Sequence, residues 1–144
     1  VAEQVDTAVK QGATLHTGGK KLDRDGAFYA PTVLTGITSE MDAYSEEIFG
    51  PVGMVYRASS IADAVELAND VGFGLSGSVW STHLDKAQQV ADQLEVGMAY
   101  INEHGTTLPG LPFGGVKRSG YGRELGRWGM GEFVNTRLRR TSTK

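Results

Sequence analysis

Residues 52–101 read VGMVYRASSIADAVELANDVGFGLSGSVWSTHLDKAQQVADQLEVGMAYI, and this stretch decides the predicted fold. Three short runs within it, residues 52–56, 78–81 and 98–101, have the composition and the length of β-strands. The last run is apolar enough to be predicted as a strand that is buried on both faces. Between the runs, apolar residues recur every three or four positions, which predicts two amphipathic helices.

Both predicted helices have start signals and stop signals. Ser60 with Asp63, and Thr82 with Asp85, resemble capping boxes, and glycine follows each helical stretch. The predicted buried stripes are Ile61, Ala64, Val65, Ala68 and Val71 in the first helix and Leu84, Ala87, Ala91 and Leu94 in the second. The order strand, helix, strand, helix, strand predicts an α/β fold with a parallel βαβαβ core and right-handed crossovers.

Two further elements are predicted upstream of this core. Val1, Val5 and Val9 recur at every fourth position, which predicts a helix over residues 3–10. Because that pattern begins at the first residue, we expect the chain to start inside a longer polypeptide. Residues 28–34 are predicted to form an edge or irregular strand, since the proline among them cannot donate a hydrogen bond to a sheet.

Downstream of the core, the sequence becomes rich in glycine and then ends in an alternating segment. Residues 102–122 are predicted to form a long loop, and residues 123–131 a short helix that glycine interrupts. In residues 133–140, apolar side chains alternate with polar ones, which predicts a half-buried strand. A terminal strand without a local partner is suited to adding to the sheet of another subunit.

Composition narrows the class of protein. A chain of 144 residues that is 40% hydrophobic is long enough for one domain with a core. Its net charge of -3 argues against nucleic acid or an anionic membrane as the partner. No apolar run reaches the roughly 20 residues of a membrane helix, and the start is not an export signal, so a cytoplasmic protein is expected. The chain has no cysteine, which excludes a disulfide and a thiolate nucleophile within it.

A glycine-rich string at residues 72–77 matches the GxGxxG pattern that binds a dinucleotide pyrophosphate. That function requires a strand before the string and a helix at its end. Here the predicted order is reversed. The glycines are therefore predicted to end one helix and to precede the next strand.

An acidic and aromatic turn consists of Glu46-Glu47-Ile48-Phe49-Gly50-Pro51. A carboxylate offers two acceptors to a vicinal diol, and a phenyl ring can pack on a planar heterocycle, so the turn suits a nucleoside. An acidic turn with Phe49 in the hydrophobic core explains the same residues. Composition alone favours this second interpretation.

The glycine-rich loop follows the last strand of the predicted core. Ligands in open α/β sheets bind beyond the carboxyl ends of strands, which places this loop where a substrate would lie. Phe113 could wall a pocket there. Of the three histidines, His104 is the one that could contact a substrate, because it lies in this loop. No histidine has a partner at metal-ligand spacing, so no metal site is predicted. A mobile surface loop is the alternative, and the residues leave both open.

The chain resembles the C-terminal portion of the aldehyde dehydrogenase superfamily. The resemblance rests on the acidic and aromatic turn and, later in the chain, on Pro112-Phe113-Gly114-Gly115 with Lys117, Ser119-Gly120 and Gly122-Arg123-Glu124. It spans essentially the whole chain and is greatest to succinate-semialdehyde dehydrogenases. It implies that residues 1–132 are part of the catalytic domain and that residues 133–144 are an oligomerisation strand and tail.

The resemblance also implies a reaction. In this superfamily a cysteine thiolate attacks an aldehyde, hydride passes to NAD or NADP, and water activated by a glutamate hydrolyses the thioester. The nucleophile and the general base are therefore expected upstream of this chain, which has no cysteine. No catalytic residue is expected within the chain, and the chain alone is expected to be inactive.

Carried over to this sequence, the resemblance gives binding roles. Glu47 is expected to bind the hydroxyl groups of the nicotinamide ribose, and Phe49 to pack near the nicotinamide ring. Phe113 is expected to line the aldehyde tunnel, whose mouth is shaped by the loop that contains His104.

A carboxylated aldehyde such as succinate semialdehyde requires a cationic anchor, which Lys117, Arg118 or an upstream arginine could supply. The expected partners are the aldehyde, the rest of the dehydrogenase chain and further copies in a homo-oligomer. A non-catalytic module for nucleotide binding or oligomerisation is the alternative that keeps the same motifs. These residues do not decide between NAD and NADP.

Overall fold

The computed structural model describes residues 1–143 as a mixed α/β structure. Lys144, the last residue of the predicted tail, lies outside the described residues. Two units follow each other in sequence, the first comprising Val1–Ala64 and the second beginning at Val65. Among the helices of residues 1–143, none is long and apolar enough to cross a membrane.

The first unit is a three-stranded sheet with two helices. Its elements are α1 (Ala2–Gln11), β1 (Thr14–Thr17), β2 (Thr32–Thr35), α2 (Asp42–Ser45) and β3 (Val52–Val55). The strand order is β1-β2-β3, with β1 antiparallel to β2 and β2 parallel to β3. α1 confirms the helix predicted over residues 3–10, and it ends at Gly12 in the left-handed conformation that favours glycine.

The core of the first unit contains residues of both α1 and β2. Leu34 of β2 is 0% exposed and Val5 of α1 is 1% exposed. Ala8 completes the buried face of α1, whereas Val1 and Val9 are 38% and 39% exposed. The buried face of α1 therefore follows the spacing of Val5 and Ala8 rather than the full valine stripe.

The strand predicted over residues 28–34 is observed in part as β2, and its pairing with β1 is irregular. Its placement at an edge is wrong, because β2 is the central strand of its sheet. Pro31, which motivated that prediction, stands immediately before the first residue of β2. Its missing N–H therefore interrupts no pairing within the strand. The N–H of Thr32 donates to the carbonyl oxygen of Pro51 at 2.8 Å.

The second unit is built around a parallel strand–helix–strand pair. α3 (Ile61–Asn69) leads into it, and the elements that follow are β4 (Phe73–Gly74), β5 (Ser76–Val79), α4 (Leu84–Ala91), β6 (Met98–Ile101), β7 (Val116–Lys117) and α5 (Gly126–Gly131). β5 and β6 pair in parallel, and α4 connects them. β4 and β7 form an antiparallel pair of two residues each.

The predicted βαβαβ core is not a single sheet in the described residues. β3, its first strand, pairs with β2, whereas β5 and β6 form a separate sheet. Of the predicted unit, the half formed by β5, α4 and β6 is observed. The hydrophobic pattern locates strands but does not specify their partners, and β2 lies upstream of the stretch on which the prediction was based.

Several surfaces predicted to be buried are exposed. No residue of α3 is buried, and Ile61 is 55% exposed. In α4, Ala87 and Ala91 are buried but Leu84 is 59% exposed. β6 is not buried on both faces, because Ala99 is exposed. An apolar stripe predicts where a partner would pack, and within residues 1–143 these stripes are only partly covered.

The tail does not form the predicted strand over residues 133–140 in the described structure. Its apolar side chains are strongly exposed, with Phe133 at 91%, Val134 at 65% and Leu138 at 89%. A strand requires a neighbouring strand for its backbone hydrogen bonds, and the described residues offer the tail none.

The start of α3 confirms the first predicted cap. The hydroxyl oxygen of Ser60 accepts the N–H of Asp63 at 3.1 Å. The Asp63 carboxylate in turn accepts the N–H and the hydroxyl of Ser59 at 2.6 and 2.9 Å. The backbone hydrogen bond and then the hydroxyl hydrogen bond from Ser59 lower the pKa of Asp63 below its ordinary value.

The second predicted cap is wrong. α4 begins at Leu84 with His83 before it, and no side chain caps its first turn. The hydroxyl oxygen of Ser81 accepts the N–H of His83 at 3.0 Å, so the local hydrogen bond uses the residue before Thr82 and an N–H two residues before that of Asp85.

We expect Asp63→Asn to lower the free energy of unfolding at pH 7, because an amide accepts the Ser59 hydrogen bonds less strongly than a carboxylate. Since the folded-state pKa of Asp63 is the lower one, its stabilisation is complete above the unfolded value of about 3.9 and is lost as the pH falls through the folded value. Urea unfolding across this pH range measures the difference. Asp85→Asn in the first turn of α4 is the matched control, and an equal response of both variants would contradict the cap.

Candidate functional site

The glycine-rich loop is closed at its base by two backbone hydrogen bonds. The N–H of Phe113 donates to the carbonyl of Glu124 at 2.9 Å, and the N–H of Glu124 donates to the carbonyl of Phe113 at 2.7 Å. Arg123 stabilises the loop from within, since its guanidinium donates to the carbonyls of Gly115 and Gly122 at 2.7 and 2.9 Å. Residues 113–124 therefore form a loop whose two ends are joined by hydrogen bonds.

The loop is attached to the rest of the second unit through β4. Val116 and Lys117 pair with Gly74 and Phe73. The N–H of Arg118 donates to the carbonyl of Gly72 at 2.9 Å. The GxGxxG string at residues 72–77 thus forms β4 and the start of β5, with no helix at its end, as the predicted order of elements required.

Gly97 lies against the loop with no space for a side chain. A Cβ atom at position 97 would overlap the carbonyl oxygen of Gly114 and would lie 2.7 Å from the Cα of Gly115. The N–H of Gly97 donates to the carbonyl of Gly74 at 3.0 Å. The absence of side chains at positions 97, 114 and 115 lets the two backbones meet directly.

Phe113 lines two cavities of the second unit. The larger, of about 720 Å³, is an open cavity between the loop, α5 and the start of the tail, and its lining includes Leu125, Met130 and Phe133. The smaller, of about 200 Å³, is lined by residues of β6, including Met98 and Tyr100, and by residues of the loop that follows β6. The sequence prediction that Phe113 could wall a pocket agrees with this placement.

The structure does not bring the other two predicted substrate residues to these cavities. Arg118 is exposed, and its guanidinium carbon lies 4.8 Å from the centroid of the Phe73 ring. His104 is exposed in the loop after β6, and its carbonyl accepts the hydroxyl of Thr106 at 3.3 Å. In the described structure neither residue lines the cavities that Phe113 lines.

In the first unit, the two adjacent glutamates of the acidic and aromatic turn have different surroundings. The side-chain amide of Gln4 donates to Glu46 Oε2 at 3.1 Å and to the backbone carbonyl of Glu47 at 3.2 Å. The Glu47 carboxylate is exposed and accepts no hydrogen bond from residues 1–143. The oxygens of Glu47 are therefore available to a ligand, whereas Glu46 is bound to α1.

Phe49 is 88% exposed, which excludes the interpretation that places its ring in the hydrophobic core. The ring lines a cleft of about 480 Å³ together with Phe28, Tyr29 and Pro51. An exposed aromatic face beside an apolar cleft suits a flat apolar or heterocyclic ligand.

Tyr29 is a residue of this cleft that sequence reasoning did not single out. Its hydroxyl is buried and has no hydrogen-bond partner in the part of the chain that the structure describes. Burial, and then the negative charge of Asp6, raise the pKa of its phenol. Its aromatic character was visible in the sequence, but the burial of one oxygen depends on packing that the sequence pattern does not contain.

The three histidines remain apart from any metal site. His16 Nε2 is 2.8 Å from the hydroxyl oxygen of Thr35, and His83 precedes α4. Within residues 1–143, no group of three or more histidine, aspartate or glutamate side chains is arranged to hold a metal ion.

Comparison with known proteins gives a consistent match. Residues 1–138 match the sequence profile of the aldehyde dehydrogenase family. Succinate-semialdehyde dehydrogenase [NADP(+)] from Deinococcus radiodurans is 52% identical over 135 residues, which are 94% of this chain and 28% of that protein. The enzyme of the same name from Mycobacterium avium is 50% identical over 137 residues, 95% of this chain and 29% of that protein.

Solved structures match as well. Succinic semialdehyde dehydrogenase from Streptococcus pyogenes, in complex with NADP+, superimposes with a TM-score of 0.94 at 44% identity, covering 99% of this chain and 31% of that one. Betaine aldehyde dehydrogenase from Staphylococcus aureus, in complex with NAD+, gives a TM-score of 0.86 at 38% identity, covering 99% and 32%. The chain thus spans less than a third of the length of the relatives described here.

We expect Gly97→Ala to lower the free energy of unfolding by about 1–3 kcal/mol, because the new methyl group overlaps the Gly114 carbonyl and forces the loop outward. Gly110→Ala is the matched control, since a Cβ atom there meets nothing within 4 Å. Urea unfolding followed by tryptophan fluorescence measures both variants. Equal stabilities would show that the loop does not lie against Gly97.

Proposed function

The chain belongs to the aldehyde dehydrogenase family, and on that basis we propose that it is the C-terminal part of the catalytic domain of an NAD(P)+-dependent enzyme that oxidises an aldehyde to the carboxylic acid. The observation that carries this proposal is the 52% identity to a succinate-semialdehyde dehydrogenase over 94% of the chain. In this proposal residues 1–132 belong to the catalytic domain and residues 133–144 form its oligomerisation strand and tail.

This chain contributes binding surfaces to the reaction rather than catalytic groups. Oxidation through a covalent intermediate requires a thiolate, and the chain has no cysteine. The nucleophile and the general base are therefore assigned to the rest of the polypeptide, and the chain alone is expected to reduce no NAD(P)+. Phe113 lines the aldehyde tunnel, and the loop with His104 shapes its mouth.

The acidic and aromatic turn fits the nicotinamide end of NAD(P)+. The free acceptor oxygens of Glu47 suit the two hydroxyl groups of a ribose, and the exposed ring of Phe49 suits the face of a planar heterocycle. When bound, NAD(P)+ supplies the hydride acceptor. The role of Glu47 and Phe49 is to hold and orient it.

Succinate semialdehyde is the proposed aldehyde, in agreement with the names of the relatives from Deinococcus radiodurans and Mycobacterium avium. Its carboxylate requires a cation. Two cationic side chains of the loop already have partners within the chain. Lys117 donates to two backbone carbonyls and pairs with Glu95, and Arg123 donates to two backbone carbonyls. The guanidinium of Arg118 makes no hydrogen bond to residues 1–143, so Arg118 is the loop cation that is available as an anchor.

We also propose that the tail adds to the sheet of a neighbouring subunit in a homo-oligomer. The exposed Phe133, Val134 and Leu138 support this assignment, because exposed apolar side chains at a chain end are suited to burial against a partner.

The cofactor assignment is tested by Glu47→Ala in the complete dehydrogenase. A hydrogen bond to a charged group contributes about 1.5–3 kcal/mol, so the KM for NAD(P)+ should rise about tenfold or more while the KM for the aldehyde stays nearly constant. Glu46→Ala is the matched control, because Gln4 already occupies that carboxylate. If Glu46→Ala raises the cofactor KM and Glu47→Ala does not, the assignment is wrong.

The substrate assignment is tested by Arg118→Ala. Loss of the cation should reduce the preference in kcat/KM for succinate semialdehyde over a neutral aldehyde by about tenfold. Arg127→Ala is the matched control, since its guanidinium also lies on an aromatic ring, 4.7 Å from the centroid of Trp128. An unchanged preference in the Arg118 variant would remove Arg118 from the substrate site.

A further inference from the structure

We propose that Lys117 is a positioning residue whose ammonium group ties the glycine-rich loop to the end of α3 and thereby sets the place of Phe113. The kinetic part of this inference rests on the proposed function, in which Phe113 lines the aldehyde tunnel. The structural part stands on the geometry of Lys117 alone.

The backbone of Lys117 is in an uncommon conformation. Its φ angle is 55°, in the left-handed region that residues with a side chain rarely adopt. Such a residue is strained and persists where its surroundings hold it in place. A glycine would remove the strain at this position, so the presence of lysine points to a role for its side chain.

The ammonium group of Lys117 has three acceptors. Its Nζ lies 2.6 Å from the carbonyl oxygen of Asn69, 3.2 Å from that of Val71 and 2.7 Å from Glu95 Oε2. An ammonium group has three donors, so all three are used. Asn69 is the last residue of α3, where carbonyl groups lack helical partners and the helix dipole favours a cation.

Burial indicates which of these contacts matter most. The side chain of Lys117 is 23% exposed, whereas that of Glu95 is 60% exposed. An ion pair with so exposed a carboxylate contributes little because water screens it. The two carbonyl contacts are therefore expected to hold the loop, with Glu95 as a secondary partner.

Asn69 fixes the acceptors that Lys117 uses. Its side-chain amide donates to the carbonyl of Gln93 at 2.8 Å, and its side-chain oxygen accepts the N–H of Glu95 at 2.8 Å. The end of α3 and the connection between α4 and β6 are thus already joined. Lys117 adds the glycine-rich loop as a third segment.

A short and constrained segment of backbone connects Lys117 to Phe113, so a shift of Lys117 would also move Phe113. Gly114 and Gly115 lie against Gly97, which leaves this segment little room to shift. Phe113 is then held by its two hydrogen bonds to Glu124. Arg123 bonds within the loop, and Arg118 packs on Phe73, so neither replaces the attachment that Lys117 makes to α3.

Hydrogen exchange in the 144-residue chain tests the attachment without reference to activity. Two variants remove the ammonium group: Lys117→Met keeps the apolar stem, and Lys117→Gly also relieves the backbone strain. In both, the amides of Phe113, Arg118 and Glu124 should exchange about tenfold faster, the change expected when a charged hydrogen bond is lost, while amides of α1 do not change. Lys117→Arg should restore most of the protection.

Kinetics of the complete dehydrogenase test the consequence. Lys117→Met should raise the KM for the aldehyde about tenfold with the KM for NAD(P)+ within about twofold, and Lys117→Arg should recover most of the loss. Lys86→Met, on the exposed surface of α4, is the control and should change neither value.

The outcomes separate the two ideas. Unchanged loop exchange in both removal variants, or equally faster exchange throughout the chain, would overturn the attachment. Faster exchange of the loop with an unchanged aldehyde KM would overturn the positioning of Phe113. Faster exchange of the loop in an enzyme that oxidises no aldehyde would leave the attachment standing and refute the proposed function.

Discussion

The direct contact between the backbones of Gly97 and Gly114 is the constraint on which the second unit depends. Gly97 stands immediately before β6, and its N–H bonds to the carbonyl of Gly74 in β4. One residue without a side chain therefore joins a strand of the parallel pair, a strand of the antiparallel pair and the glycine-rich loop. Because the loop cannot retreat from this contact, the residue that precedes Gly114, Phe113, is held between two cavities.

Local features of the fold could be predicted from the sequence, and long-range ones could not. Apolar spacing located α1, α3 and α4, and the short apolar runs located β3, β5 and β6, because these signals arise within each element. The partner of β3 was missed because pairing depends on an edge supplied from elsewhere in the chain. A cap of α4 was wrongly predicted because serine and threonine compete for nearby N–H groups, and Ser81 rather than Thr82 accepts one, that of His83.

In the candidate site too, local features could be predicted from the sequence and long-range contacts could not. Motifs indicated Glu47, Phe49 and Phe113 from residue type and order. Composition favoured the interpretation with Phe49 in the hydrophobic core, and the exposure of its ring in the described residues contradicts that interpretation. The contacts of Lys117 could not be predicted from the sequence. Its positive φ angle and its three acceptors in distant segments do not appear in the residue pattern around it. Lys117 was one candidate for the anchor of a carboxylated substrate, whereas its ammonium group bonds to backbone carbonyls of the chain itself.

The amide of Gln4 has a consequence for how the acidic and aromatic turn is tuned. Two neighbouring carboxylates of the same chemistry differ because one side chain of α1, 42 positions away in sequence from Glu46, occupies the first and leaves the second to solvent. The difference between the two acids is thus set by a helix outside the turn. A substitution at Gln4 would change the surroundings of Glu46 while every residue of the turn stays the same.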